Sequence, residues 1–270
     1  MGTAETVGVG PMEPGSEPTT GTKVSILMAV HGVPTWLFEA LDSLSRQTFD
    51  AWEFRCVLDG PNSPAERILT AFGDRFQYEV VPFPVGPAEA RNHALRAATG
   101  ELVAVLDSDD VWPEDHLAEH VAAMTNDREL VLRGTSAELI DEEGKRTGDS
   151  RRVPDRDLPR RLLSRNAFVH SSTIYRRLPA LSVGGYDPSI RVGEDLHLWL
   201  RLAQIGKIAN DPSRSIDYRI HSFQTSRQSI DAYSTAQIGH ERSLLAKHIG
   251  VGRARAWALD RAWRISQRLH

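Results

Sequence analysis

Three carboxylates fall within four residues at Asp107-Ser108-Asp109-Asp110, directly after the apolar run Leu102 to Leu106. Their charges repel one another. A hard divalent cation, which takes oxygen ligands and shares its shell between one or two carboxylates and substrate phosphates, would relieve that repulsion. The same residues also suit an acidic turn that caps the next helix, with Asp110 as the cap. A second acidic turn, Asp59-Gly60-Pro61-Asn62, follows the run Trp52 to Leu58. Glu194-Asp195 opens an amphipathic stretch that reaches Ile205. A helix N-terminus there favours an ionised carboxylate, which serves either as a base or as an ordinary cap. The ten His residues are scattered without a His-x-His pair. The one cysteine, Cys56, excludes a disulfide within the chain and a cysteine zinc site, and its place in an apolar run reads as packing.

Each acidic turn needs an element that aims it. Lys23 to Val30 reads as a buried strand, and Pro34 opens a helix with Leu37, Leu41 and Leu44 on one face. Trp52 to Leu58 is a second strand, Ala65 to Phe72 a short helix, and Phe76 to Val81 a third strand. Pro87 to Ala98 is helical and stops at Gly100, Leu102 to Leu106 is a fourth strand, and Pro113 starts a helix with Leu117, Val121 and Met124 inward. Strands alternating with helices imply βαβ units and a mostly parallel sheet. Ligands bind outside the carboxyl ends of such strands, where Asp59 and Asp107 would lie. After residue 129 the pattern loosens. Leu130 to Ile140 reads as extended, Leu158 to Leu163 as helix, Phe168 to Tyr175 as strand, Asp195 to Ile205 as helix, Ser215 to Ile220 as strand, and the chain from about Ile230 as helical. Gly250-Val251-Gly252 is a helix break, since no strand precedes it as a dinucleotide fingerprint requires.

The 270 residues suit one large or two small domains, with 40% hydrophobic and 25% charged residues. A net charge of −4 argues against a general nucleic-acid binder, which needs a basic face. The apolar runs are too short for a transmembrane helix. Met1 to Thr22, rich in Gly, Pro, Thr and Glu, reads as a disordered tail. It lacks the basic start and apolar centre of a secretory signal, which with the sparse cysteine points to a cytoplasmic location.

Six segments in order resemble family 2 glycosyltransferases of the GT-A fold, over about Lys23 to Arg227. They are the first strand Val24 to Val30; Ser43-Leu44 with Gln47-Thr48-Phe49; Asp59-Gly60; Gly86-Pro87-Ala88-Glu89-Ala90-Arg91-Asn92; Leu106-Asp107-Ser108-Asp109-Asp110, similar to the Asp-x-Asp metal motif; and Gly184-Gly185-Tyr186-Asp187 with Gly193-Glu194-Asp195. Two positions depart from the pattern. His31-Gly32 replaces the usual aromatic residue and Asn after the first strand, and Leu58 replaces the first Asp of Asp-Asp-Gly.

The resemblance implies an α/β, Rossmann-like GT-A fold: a mostly parallel central sheet flanked by helices over residues 23–228, with 229–270 as a C-terminal helical extension. It implies inverting, metal-dependent transfer from a nucleotide-diphosphate sugar, of the UDP or dTDP type, to a hydroxyl of a glycan, lipid carrier or small natural product, with Mn²⁺ or Mg²⁺ as cofactor. Carried over by position, Ala29, His31 and Asp59 contact the nucleobase, and Asp107, Ser108 and Arg91 the rest of the nucleotide sugar. Asp109, Asp107 and His221 serve the metal, Asp195 is the base, and Glu194, His170 and Trp199 line the acceptor side. Alternatives stay open for several of these. Arg91 could instead buttress the acidic loop by an ion pair, His221 could be a loop histidine, and Trp112 and Trp199 could be core. The C-terminal helices, with Arg253, Arg255, Arg261, Arg264 and Arg268, could rest on the inner membrane face, cover the acceptor site, join subunits of a homo-oligomer, or present a solvated face. Two other functions fit the residues less well. A sugar nucleotidylyltransferase predicts a Gly-rich, basic loop after the first strand, and His31-Gly32-Val33-Pro34 is not one. A catalytically silent nucleotide-sugar-binding module is opposed by the presence of Asp107, Asp109 and Asp195 together.

Overall fold

A computed structural model describes residues 21–32, 34–151, 157–222, 224 and 230–266. The tail expected over 1–22 therefore lies, but for its last two residues, outside the described residues. In chain order the elements are β1 (Val24–Val30), α1 (Leu37–Ser45), β2 (Trp52–Asp59), α2 (Ser63–Ala71), β3 (Phe76–Val81), α3 (Pro87–Ala97), β4 (Leu102–Val105), α4 (His116–Asn126), β5 (Leu130–Ile140), β6 (Arg146–Arg151), α5 (Leu158–Leu162), β7 (Ile174–Arg176), α6 (Arg177–Ser182), α7 (Glu194–Leu202), β8 (Lys207–Arg219), α8 (Ala232–His248) and α9 (Arg253–Ser266).

These strands form one sheet in the order β3-β2-β1-β4-β7-β5-β6. From β3 to β4 every pairing is parallel; β7 then runs antiparallel to both β4 and β5. β5 carries β7 beside its first half and β6 beside its second, and β8 runs parallel along its other edge. Helices cover both faces, which explains why β1 reads as a near-continuous apolar run, broken only by Ser25, rather than an alternation. Ile26, Met28, Phe54 and Cys56 face a core closed by α1, α2 and α4. Leu27, Val57, Val103 and Val105 face one closed by α3, α5, α7 and α8. The expected α/β class and mostly parallel sheet are thus observed.

The late elements differ from expectation in ways the residues explain. The strand expected over Phe168 to Tyr175 survives only as β7, because His170–Ser172 winds into a 3₁₀ turn. Hydroxyls hold that turn: Ser172 Oγ donates to Val169 O (2.8 Å) and Thr173 Oγ1 to His170 O (2.6 Å). β8 starts at Lys207, well before Ser215, and its pairing with β5 shifts register between Thr135 and Ser136, opposite the polar stretch Asp211 to Arg214. The polar edge strand β6 and the short α6 carried no periodic signal. In the C-terminal region α8 is part of the body: Ile238 and Leu245 are fully buried, and Arg242 Nε donates to Leu162 O (3.0 Å). Gly250, at φ 71°, separates α8 from α9 as the helix break predicts. Among the described residues no helix is long and apolar enough to cross a membrane.

Candidate active site

Parallel strands deliver their carboxyl ends to one edge of the sheet, and β1, β2 and β4 bring Ala29, Asp59 and Asp107 there together. Asp59 ends β2. Its Oδ1 accepts from Val85 N (2.6 Å) and its Oδ2 from Gly86 N (3.0 Å), so the carboxylate holds the loop that starts α3. His31 donates from Nδ1 to the Asp59 carbonyl (3.1 Å), and its side chain is 69% exposed at the rim.

Asp107 follows β4, with its backbone N–H fixed on Ser171 Oγ (2.7 Å). Arg91, buried on α3, donates from Nη2 to Asp107 Oδ1 (2.8 Å) and from Nη1 to Glu194 Oε1 (2.8 Å), so one guanidinium spans the first residue of the Asp-x-Asp segment and the first residue of α7. His170 Nδ1 lies 3.4 Å from Asp107 Oδ2, and its Nε2 lies 3.0 Å from the Tyr186 hydroxyl. Burial pushes the Asp107 carboxyl up, but Arg91 and His170 outweigh it and hold the group ionised, well below the usual carboxylate range. At Glu194 burial wins: the carboxyl is raised although Arg91 opposes, and neighbouring Asp195 adds to the rise. Ser108 is half-buried between Asp107 and Asp109.

Asp109 and His221 meet across 112 residues of sequence, with Asp109 Oδ2 and His221 Nε2 2.8 Å apart. The Trp36 ring leans on the His221 ring at 4.5 Å between centroids. Beneath the pair lies Arg219, fully buried at the end of β8. It donates to Asp109 O (3.0 Å), Asp141 O (3.0 Å) and Glu39 Oε2 (2.5 Å). A separation of 2.8 Å between an oxygen and an imidazole nitrogen suits two adjacent ligands of one divalent ion at about 2.1 Å each. Among the described residues no three His, Cys, Asp or Glu side chains gather as a metal site, so Asp107, expected as a third ligand, does not join Asp109 and His221; its oxygens face Arg91 and His170 instead. The donor pair therefore fits an ion that takes its other ligands from substrate and water. Asp110 is not the helix cap expected: Asp115 occupies the position before α4, and Asp110 Oδ1 accepts from Arg219 N (2.9 Å). Burial, with Asp109 and Asp107 beside it, raises the Asp110 carboxyl well above its ordinary value.

Asp195 is the second residue of α7. Its Oδ1 accepts from Leu196 N (2.6 Å) and its Oδ2 from Asn166 Nδ2 (2.6 Å). The Glu194–Arg91–Asp107 chain connects this helix start to the strand-end carboxylates. Trp199 needs correction. It is 0% exposed, packed against Phe168, Tyr175 and His170, so no face is open to stack on a sugar. It supports His170 instead. Trp112 is likewise core, donating to Ser171 O (2.7 Å). Sequence reasoning gave no role to Asn166, Trp36 or Arg219, which lie in no recognised segment, nor to Tyr186, which sat inside one. Asn92 fixes Tyr186 by a pair of bonds, Nδ2 to Tyr186 O (2.7 Å) and Tyr186 N to Oδ1 (2.9 Å). That close approach requires Gly185, at φ 67°, where a Cβ would stand 2.6 Å from Asn92 Oδ1.

The family model for glycosyl transferase family 2 matches residues 25–182, more than half of the chain. The chain belongs to glycosyl transferase family 2. It is 28% identical over 244 residues to the amylovoran biosynthesis glycosyltransferase AmsE of Erwinia amylovora, an alignment that covers 88% of this chain and 91% of the relative. Among solved structures it resembles S. aureus TarS 1-349 in complex with UDP-GlcNAc, at TM-score 0.65 and 17% identity over 89% of this chain and 70% of that one. It also resembles the mannosyltransferase PcManGT from Pyrobaculum calidifontis in complex with GDP-Man and Mn²⁺, at TM-score 0.60 and 20% identity over 90% and 69% of the two chains. Against a longer TarS chain it spans 43% of the length. These structural likenesses are of fold and agree with the GT-A architecture expected, and the enzyme is a glycosyltransferase.

Proposed function

We propose that this glycosyltransferase moves a sugar from a nucleotide-diphosphate sugar to an acceptor hydroxyl in one metal-assisted displacement that inverts the anomeric carbon. The observation that carries the reading is the Arg91 bridge. It joins Asp107, at the ends of the parallel strands, to Glu194, next to Asp195, which supports assigning the two sides of a displacement reaction to these neighbouring carboxylates. The complexes of the neighbours with UDP-GlcNAc and with GDP-Man and Mn²⁺ support a nucleotide-sugar donor and a divalent ion.

Asp109 and His221 hold the ion. Bound there, a divalent cation supplies Lewis-acid stabilisation of the diphosphate's growing negative charge. Asp107, kept ionised by Arg91 and His170, accepts from the ribose hydroxyls or an ordered water, with Ser108 beside it. Asp59, Ala29 and His31 bound the base pocket. Each Asp59 oxygen, already bonded to one backbone N–H, retains a lone pair for a donor on the base, which suits the uracil or thymine of a UDP or dTDP sugar. Asp195 takes the proton of the acceptor hydroxyl, and Glu194 and His170 shape that side. The acceptor is a hydroxyl of a glycan, a lipid carrier or a small natural product.

Calorimetry with UDP-glucose, UDP-GlcNAc, dTDP-glucose and GDP-mannose, each with and without Mn²⁺, tests the reading. One donor should bind in the presence of Mn²⁺ and lose about tenfold or more in affinity with EDTA or in Asp109→Asn. Binding of no donor, or binding indifferent to the metal, overturns it.

A further inference from the structure

We propose that Asn166 is a positioning residue for Asp195, fixing how that carboxylate is turned toward the acceptor. The inference rests on Asp195 as the base and adds what aims it.

The Asp195 side chain sits at the very start of α7, preceded by Gly193 in a left-handed conformation (φ 86°). One oxygen, Oδ1, is held by the adjacent backbone N–H of Leu196. That bond alone leaves the carboxylate free to rock, because the terminal torsion of aspartate is broad and roughly two-fold. The second restraint comes from across the fold: Asn166 Nδ2 donates to Oδ2 at 2.6 Å, from 29 residues earlier in the chain. The amide is itself oriented. Asn166 Oδ1 accepts from Phe168 N (3.2 Å), so the NH₂ end must face Asp195; the flipped amide would set oxygen against oxygen. Phe168 is fully buried and its ring meets that of Trp199 on α7 at 6.2 Å. The segment that carries Asn166 is therefore packed on the same helix that carries Asp195, and the bond does not depend on a loose loop.

The residue type fits the task. An asparagine donates a hydrogen bond but neither takes a proton nor adds charge, so it orients the base without competing for the acceptor's proton. An arginine in its place would form an ion pair and stabilise the carboxylate against protonation, making it a poorer base. With one bond on each oxygen, the carboxylate keeps further lone pairs for the acceptor hydroxyl.

The test uses the full chain. Nucleoside diphosphate release is followed with Mn²⁺ and UDP-GlcNAc or GDP-mannose, with water or simple glycosides as acceptor. Asn166→Ala is expected to lower kcat about 10²-fold, as a misplaced catalytic group does, while KM for the donor stays within twofold. Asn166→Gln, which keeps the amide, recovers part of that loss. Asn166→Asp sets a second carboxyl against the first, and the acid limb of its rate profile moves up by about one pH unit or more, because two carboxyls at one position hold a proton between them. A crystal structure of Asn166→Ala gives an answer independent of turnover: the Asp195 carboxylate should be rotated or disordered. An unrotated carboxylate there, or a kcat within twofold of the parent, overturns the proposal. If Asp195→Asn keeps full turnover, the base assignment falls; if Asp195→Asn is inactive while Asn166→Ala is unimpaired, only the present inference falls.

Discussion

From β3 through β2 and β1 to β4 each neighbour is parallel, with β1 and β4 buried on both faces and β3 an exposed edge, whereas from β4 through β7 and β5 to β6 each neighbour is antiparallel and the strands are short or shifted in register. The two regions position their carboxylates by different means. On the parallel side Asp59 and Asp107 sit at strand ends; the Asp59 carboxylate is tied to the backbone at Val85 N and Gly86 N, and the Asp107 backbone N–H is fixed on Ser171 Oγ. The groups of the mixed side are aimed by long-range side-chain bonds, one of which also holds the Asp107 carboxylate: Arg91 to Glu194 and Asp107, Asn92 to Tyr186, Asn166 to Asp195. The first kind of site tolerates substitution around it. The second kind is exposed to single changes, since one substitution removes the whole restraint.

The contrast can be broken or sharpened by experiment. The largest effect belongs to Asp195→Asn, which should lower transfer by about 10²–10⁴-fold, the usual worth of a general base, while donor affinity measured by calorimetry stays within twofold. A parallel loss of donor affinity would show that the two sides are not separable. Next is Arg91→Met, which strands the buried carboxylates of Asp107 and Glu194 without their shared cation. Breaking a buried pair by removing one partner costs about 3–5 kcal/mol, readable in a urea titration; an unchanged midpoint would mean the halves are not joined there.

Acid should act at the boundary. α4 packs against β5, and His120 Nδ1 lies 3.0 Å from Arg133 Nη1 on that strand. Burial, with Arg133 adding, pushes His116 down to about 3, and burial with His116 and Arg133 pushes His120 well below its ordinary value of 6.5. Above pH 6.5 neither state binds the proton. Between 6.5 and 3 only the unfolded chain binds it, so stability falls as pH falls. At pH 5 His116 alone accounts for a loss of about 2 kcal/mol relative to pH 7. Urea midpoints at the two pH values measure this, and His116→Phe should flatten the difference. The smallest effect is that of Gly185→Ala, where a left-handed backbone and the approach of Asn92 together cost about 1–2 kcal/mol in thermal unfolding.

The same contrast governs what could be read from the sequence. β1, β2 and β4 were legible from short, largely apolar runs, of which β2 and β4 lead into acidic turns, and β5 matched its expected bounds, Leu130 to Ile140. β7 was not, because hydroxyl-to-backbone bonds curl the residues before it. The polar stretch at its register shift hides the first half of β8 from the sequence pattern. The 3.6-residue period placed Trp199 on a helix without saying that all of its surface would be covered by Phe168, Tyr175 and His170. Asn166 left no trace at all: its partner is a single side chain 29 residues away, and no periodicity records such a bond.

Arg219 reaches the backbone of Asp109, the turn at Asp141 and the side chain of Glu39 on α1, across separations of 110, 78 and 180 residues. On a ribosome these partners emerge long before the arginine that fastens them, and His221 emerges later still. The nascent enzyme thus passes through a stage in which the parallel strands can already pair while the Asp109–His221 pair does not yet exist. A chain interrupted anywhere before β8 would lack the fastening of Asp109, Asp141 and Glu39 altogether, however well its first four strands had assembled.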